Sequence, residues 1–77
     1  MTVASLIGRI RKRREALNYS QEYLAAKLCI SQKTYSKLEL QHNKLTVERL
    51  LQICDVLEVD IKDMLQHDGY AAIRGSV

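Results

Sequence analysis

The sequence predicts an all-α fold: one compact bundle of five short helices with no strands. Three observations predict it. The 77 residues contain no proline and only three glycines, Gly8, Gly69 and Gly75, so helices must be ended by capping residues and not by strong breakers. Apolar residues recur three and four positions apart along most of the chain, the spacing of one helix face. Ser20, Ser31, Thr46 and Asp60 each stand just ahead of such a stretch, where an N-cap oxygen receives an otherwise orphaned backbone N–H. The length suits a single core, and a hydrophobic fraction of 47% is enough to fill it.

The first periodic stretch runs from about Ser5 to Leu17, with Leu6, Ile7, Ile10 and Leu17 on one face, and Asn18-Tyr19 ends it. Ser20 caps the second helix, with Glu22 in the first turn where the helix dipole favours an acid, and with Leu24, Ala25 and Leu28 inward. Cys29-Ile30 makes a tight connection to a third helix, capped by Ser31 and running to about Leu40, with Tyr35 and Leu38 inward. The polar stretch Gln41–Leu45 reads as a loop. Thr46 then caps a fourth helix carrying Val47, Leu50, Leu51, Cys54 and Leu57 as its inner side. Asp60, with Asp63 three residues on, has the spacing of a capping box before a short fifth helix bearing Ile61, Met64 and Leu65. Residues 1–66 are expected to form the domain. Residues 67–77 are expected to be a flexible tail or, through Tyr70, Ala71, Ala72 and Ile73, a segment contributing to a dimer.

Several function classes are disfavoured at this point. No apolar run is long enough to span a membrane. Met1–Leu6 lacks a basic region followed by an apolar stretch, so a secretory signal is not expected and the cytoplasm is the expected location. Cys29 and Cys54 are widely separated, as are His42 and His67, so no close ligand pair suggests a metal, and no cofactor is expected. No nucleophile–base constellation is visible, and an enzyme is not expected.

The net charge of +3 is unevenly spread. Residues 1–37 hold eight cations against two acids, whereas residues 38–77 hold four against seven. A basic half beside an acidic half suits one face for a polyanion and another kept away from it.

Ser20 to Leu40 places two helices either side of a connection so short that they must cross steeply and pack through small side chains, such as Ala25. The string Ser20-Gln21-Glu22-Tyr23-Leu24-Ala25-Ala26-Lys27-Leu28, then Ile30-Ser31-Gln32, then Ser36-Lys37-Leu38-Glu39, resembles the helix-turn-helix family of phage repressors, Cro proteins and xenobiotic-response-element regulators. The likeness continues through Leu50-Leu51, Ile53, Leu57-Glu58-Val59 and Asp63-Met64-Leu65, covering roughly residues 5–66. It departs from the family where glycine is common, at Cys29, Gln41 and Glu58; glycine tolerates positive φ at no steric cost, so the turn geometry there is an open question.

The resemblance implies a sequence-specific regulator of transcription, a repressor by expectation, that lays the helix from Ser31 to Leu40 in the major groove of double-stranded DNA. Base edges are then expected to meet Gln32, Lys33, Thr34, Ser36 and Lys37. Gln suits adenine, Lys suits the acceptors of guanine, and Lys33 lies in a first turn where a purely structural helix would avoid a cation. Phosphate contacts are expected from Gln21, which opens the second helix, from Asn43 and Lys44 in the loop, and from Arg13. Arg14 falls on the Ile7–Ile10–Leu17 stripe and Glu39 lies beside Leu38, so an ion pair between the first and third helices is expected, as matching positions of the family pair. A single small domain touches a short site, which favours a homodimer on a palindromic operator. An antitoxin or other protein-interaction module on the same fold, with a protein partner, is the alternative.

Overall fold

The computed structural model describes residues 2–66. These form five α-helices and no strands: α1 (Val3–Ala16), α2 (Gln21–Lys27), α3 (Gln32–Glu39), α4 (Val47–Val56) and α5 (Ile61–Leu65). The expected segment 67–77, with Tyr70, Ala71, Ala72 and Ile73, lies outside the described residues. Among the described residues no helix is long and apolar enough to cross a membrane.

Helix starts follow the capping residues. Ser20, Ser31 and Thr46 each accept the backbone N–H three residues on, and Asp60 accepts that of Lys62. Two boundaries differ from the sequence expectation. α1 begins at Val3, ahead of Ser5, because Thr2 and Ser5 form a reciprocal capping box that ties down the first turn. The box expected at Asp60 is not made: its carboxylate accepts from Lys62 N, two residues on, and no bond returns from Asp63 to the Asp60 backbone among the described residues.

Helix ends are more unusual. α1, α2, α3 and α4 all close with a Leu at the C-cap followed by a non-glycine residue in the left-handed region: Asn18, Cys29, Gln41 and Glu58, with φ of 60, 59, 62 and 56°. At each end two backbone N–H groups fold back onto the last turn, as Cys29 N to Ala26 O (3.2 Å) and Ile30 N to Ala25 O (3.0 Å) do after α2. Cys29, Gln41 and Glu58, where the resembled family commonly has glycine, thus take the glycine conformation without glycine. Asn18 adopts it with least strain, because its short polar side chain tolerates that region.

The core is one cluster contributed by every helix, with Ile10, Leu24, Tyr35, Ile53 and Leu57 its most enclosed members. α3 packs on α2 and α1, α4 on α2, and α5 bridges α1 and α4. On α4 the inner stripe is Leu50, Ile53, Cys54 and Leu57. Val47 and Leu51, expected inside, are 74% and 48% exposed because they lie on the shoulder of that stripe and, for Val47, at the open first turn. On α5, Met64 is buried and Leu65 is exposed. Both cysteines are free thiols, Cys54 inside and Cys29 at the surface.

Arginines lock the bundle by serving the carbonyls that helix ends leave unpaired. Arg13 donates from Nε to Leu57 O (3.0 Å) and from Nη2 to Glu58 O (3.2 Å) at the end of α4. Arg9 reaches Met64 O of α5, and Arg49 reaches Leu28 O at the end of α2. Two of the eight cations of the N-terminal half, Arg9 and Arg13, are thus built into the fold.

Candidate nucleic-acid interface

The third helix has two dissimilar sides, and the inner one anchors it. Glu39 has a side chain only 4% exposed, and its carboxylate accepts four hydrogen bonds. Arg14 of α1 donates from Nε to Oε2 (2.8 Å) and from Nη2 to Oε1 (3.1 Å), Tyr35 donates its hydroxyl to Oε2 (2.6 Å), and Gln21 of α2 donates its amide to Oε1 (3.1 Å). Arg14 spends its remaining reach on Tyr19 O (2.8 Å). The structure thus brings Arg14 and Glu39 together as a bidentate pair and adds two donors the sequence did not assign to it. No buried side-chain nitrogen or oxygen among the described residues lacks a partner.

Ionisation follows from this arrangement. Burial pushes Glu39 toward its neutral form, but the donors Arg14, Tyr35 and Gln21, with the Arg14 charge, outweigh it and hold the carboxyl below its ordinary value. The hydrogen bond to Glu39 raises Arg14 against the opposing effect of burial. Burial first, and then the bond to the Glu39 carboxylate, raises Tyr35, which stays a neutral donor.

The outer side is built from the other phase of the same eight residues. Gln32, Lys33 and Lys37 are exposed and Ser36 is half-exposed, and none of their side chains bonds to another described residue. With Leu40 and His42 they line an open groove of about 500 Å³. The helix is held so that these residues project because Tyr35, Leu38 and Glu39 fix the opposite side. Thr34 is exposed too, but its Oγ1 accepts from the Ser31 hydroxyl (2.9 Å), which draws it into the N-cap.

A second, smaller groove of about 360 Å³ lies along the loop after α3 and is lined by Val3, Gln41, His42, Asn43, Lys44 and Leu45. Asn43 and Lys44, expected at phosphates, are both exposed there. His42 borders both grooves, so the expected base-reading surface and the expected phosphate-gripping loop share one wall.

Two of the expected phosphate contacts are altered by the geometry. Arg13 donates to two carbonyls at the end of α4, so the backbone it meets in this structure is the protein's own. Gln21 gives one amide hydrogen to Glu39, leaving its second hydrogen and its oxygen for other partners. Sequence reasoning missed Leu40 and His42 in the groove. The signal for Leu40 was present, since Gln32, Ser36 and Leu40 succeed one another at four-residue steps along one face.

A family model described as helix-turn-helix matches residues 10–64, which takes in the ion pair, the groove on α3 and the core of α4. No curated protein and no solved structure matches the chain.

Proposed function

Because the chain belongs to the helix-turn-helix family of Cro-like and phage-repressor-like DNA-binding proteins, we propose that it is a sequence-specific transcriptional repressor that reads the major groove with the outer side of α3. The observation that carries this reading is the groove on α3. The side chains of Gln32, Lys33, Ser36 and Lys37 converge there with no bond to another described residue, while every polar side chain on the inner side is paired. A major groove admits one helix, and base edges offer the acceptors and donors that Gln, Ser and Lys match. Lys44 and Asn43, with the second amide hydrogen of Gln21, grip phosphates and fix the register without reading sequence. Thr34 is a minor contributor because its hydroxyl serves the N-cap.

A reading surface one short helix long covers a few base pairs, so the protein acts in the cytoplasm as a homodimer on a palindromic operator. A second reading, an antitoxin or other protein-interaction module, is favoured by the exposed Val47 and Leu51 one helical turn apart on α4.

Selection of bound duplexes from a random pool, followed by a salt titration of the winner, tests the reading. A palindromic site is expected, with affinity that falls steeply with salt. The double variant Gln32→Ala, Lys33→Ala is expected to keep weak, salt-sensitive binding and to lose preference for the site. If no sequence is enriched and the variant matches the parent, α3 is not a reader. Sedimentation showing a monomer with and without the operator overturns the dimer.

A further inference from the structure

α1, α2, α3 and α4 end on the same two-residue pattern, a leucine at the C-cap and then a left-handed residue, yet one of the four leucines behaves differently. Leu17 packs against the core, Leu28 is buried and Leu57 is fully enclosed. Leu40 is 60% exposed. The residue that follows each left-handed position shows the same split: Tyr19, Ile30 and Val59 pack against the core, while His42 is exposed. The end of α3 is turned outward, and it delivers Leu40 into the groove lined by Gln32, Lys33, Ser36 and Lys37. A lone exposed leucine is ordinary; one that shares a groove with Gln32, Lys33, Ser36 and Lys37 adds an apolar side chain to a surface that otherwise offers hydrogen-bonding groups.

Resting on the assignment of α3 to the major groove, we propose that Leu40 is a specificity residue that reads the 5-methyl group of a thymine. Base edges in that groove present hydrogen-bond donors and acceptors and a single apolar group, the thymine methyl. Leu40 cannot satisfy the former and fits the latter. Eight residues of helix separate it from Gln32, about 12 Å of rise, and base pairs follow one another at about 3.4 Å. With α3 laid along the groove, whose path winds round the duplex axis, that rise places the thymine about two to four base pairs from the pair that Gln32 reads.

The test uses the full chain and the duplex enriched from the random pool. Each thymine is replaced singly by deoxyuridine, which keeps base pairing and removes only the methyl. The position read by Gln32 is located as the one where Gln32→Ala relaxes preference. One thymine per half-site, about two to four base pairs away, is expected to lose about fourfold in affinity on replacement, the worth of one buried methyl-sized group. Leu40→Ala is expected to bind the thymine and uracil duplexes equally at that position only, and Leu40→Met, which keeps the apolar reach, to retain the discrimination. Uracil tolerated at every position overturns the inference while leaving α3 a reader, as does an unchanged uracil penalty in Leu40→Ala. A pool that yields no enriched sequence overturns both.

Discussion

The inner and outer sides of α3 are made from interleaved residues of one eight-residue helix, yet they obey opposite rules. On the inner side Tyr35 is wholly buried and Glu39 takes four hydrogen bonds from three helices, so every polar group has a partner. On the outer side Gln32, Lys33 and Lys37 are exposed, and their side chains make no bond to another described residue. The saturated side fixes where the helix sits, and the unsaturated side carries chemistry for something else. A site is held rigid from behind, by residues that never touch what it binds.

Breaking the inner side has the largest expected effect. Glu39→Ala strands Arg14 and leaves Tyr35 without its acceptor, and it is expected to cost about 3–5 kcal/mol, a large part of the stability of a domain this small. Urea denaturation monitored by circular dichroism reads it directly. A loss below about 1 kcal/mol would show that the carboxylate does not anchor the helix. Replacing both members of the pair by apolar residues is not expected to restore stability, because the Tyr35 hydroxyl and the Gln21 amide remain unpaired.

The outer side should respond in the opposite sense. Lys33→Ala and Lys37→Ala are each expected to leave stability within about 0.5 kcal/mol and to cost about 1–3 kcal/mol of binding at the selected operator. Lys44→Ala, by contrast, should weaken operator and random DNA alike and reduce the salt slope by about one ion. Paired denaturation and fluorescence-anisotropy titrations decide this. A stability loss comparable to that of Glu39→Ala would erase the distinction between the sides.

Acid sharpens the comparison further. The folded carboxyl of Glu39 lies below its ordinary value of 4.5, so its contribution is complete above that value and is lost as pH falls through the lower folded value. Unfolding free energies measured from pH 7 down to pH 3 should fall toward the acid end. Glu39→Gln should be less stable at neutral pH and should lose less of what remains on acidification. Equal acid slopes in parent and variant would place the sensitive group elsewhere.

The smallest effect concerns the turn that leads into α3. Cys29 holds φ of 59° without being glycine, a conformation that costs an ordinary residue about 1–2 kcal/mol. Cys29→Gly relieves this but returns chain entropy to the unfolded state, for a net gain of about 0.5–1 kcal/mol. Thermal melts should rise by a few degrees with operator affinity unchanged. A changed affinity would mean that the strained turn, and not only the Glu39 cluster, sets the pose of α3.

Much of this was legible beforehand, and for definable reasons. Helix starts were readable at Ser20, Ser31 and Thr46 because an N-cap acts within three residues of its own position. The inner stripes of α1, α2 and α3 were readable because helical periodicity is local, and the convergence of Arg14 and Glu39 because charges on two core-facing stripes have to meet or stay unpaired. α4 was read less well. Its apolar residues cover more than one face, so periodicity could not rank Val47 and Leu51 against Ile53, and the neighbours on α2 and α5 chose. The partners of Arg13 were not readable either, because the carbonyl it meets lies 44 residues away in the chain.

The sequence by itself determined five helices, the starts of all but α1, the stripe that each of α1, α2 and α3 buries, and membership of the helix-turn-helix family, because capping and periodicity act over one or two turns. Only the tertiary structure decided which cations face outward, that Gln21 shares its amide with Glu39, and that Leu40, alone among four equivalent leucines, leaves the core for the groove. Those outcomes depend on which helix end lies against which neighbour. That is a property of the packed bundle, and no local stretch of residues encodes it.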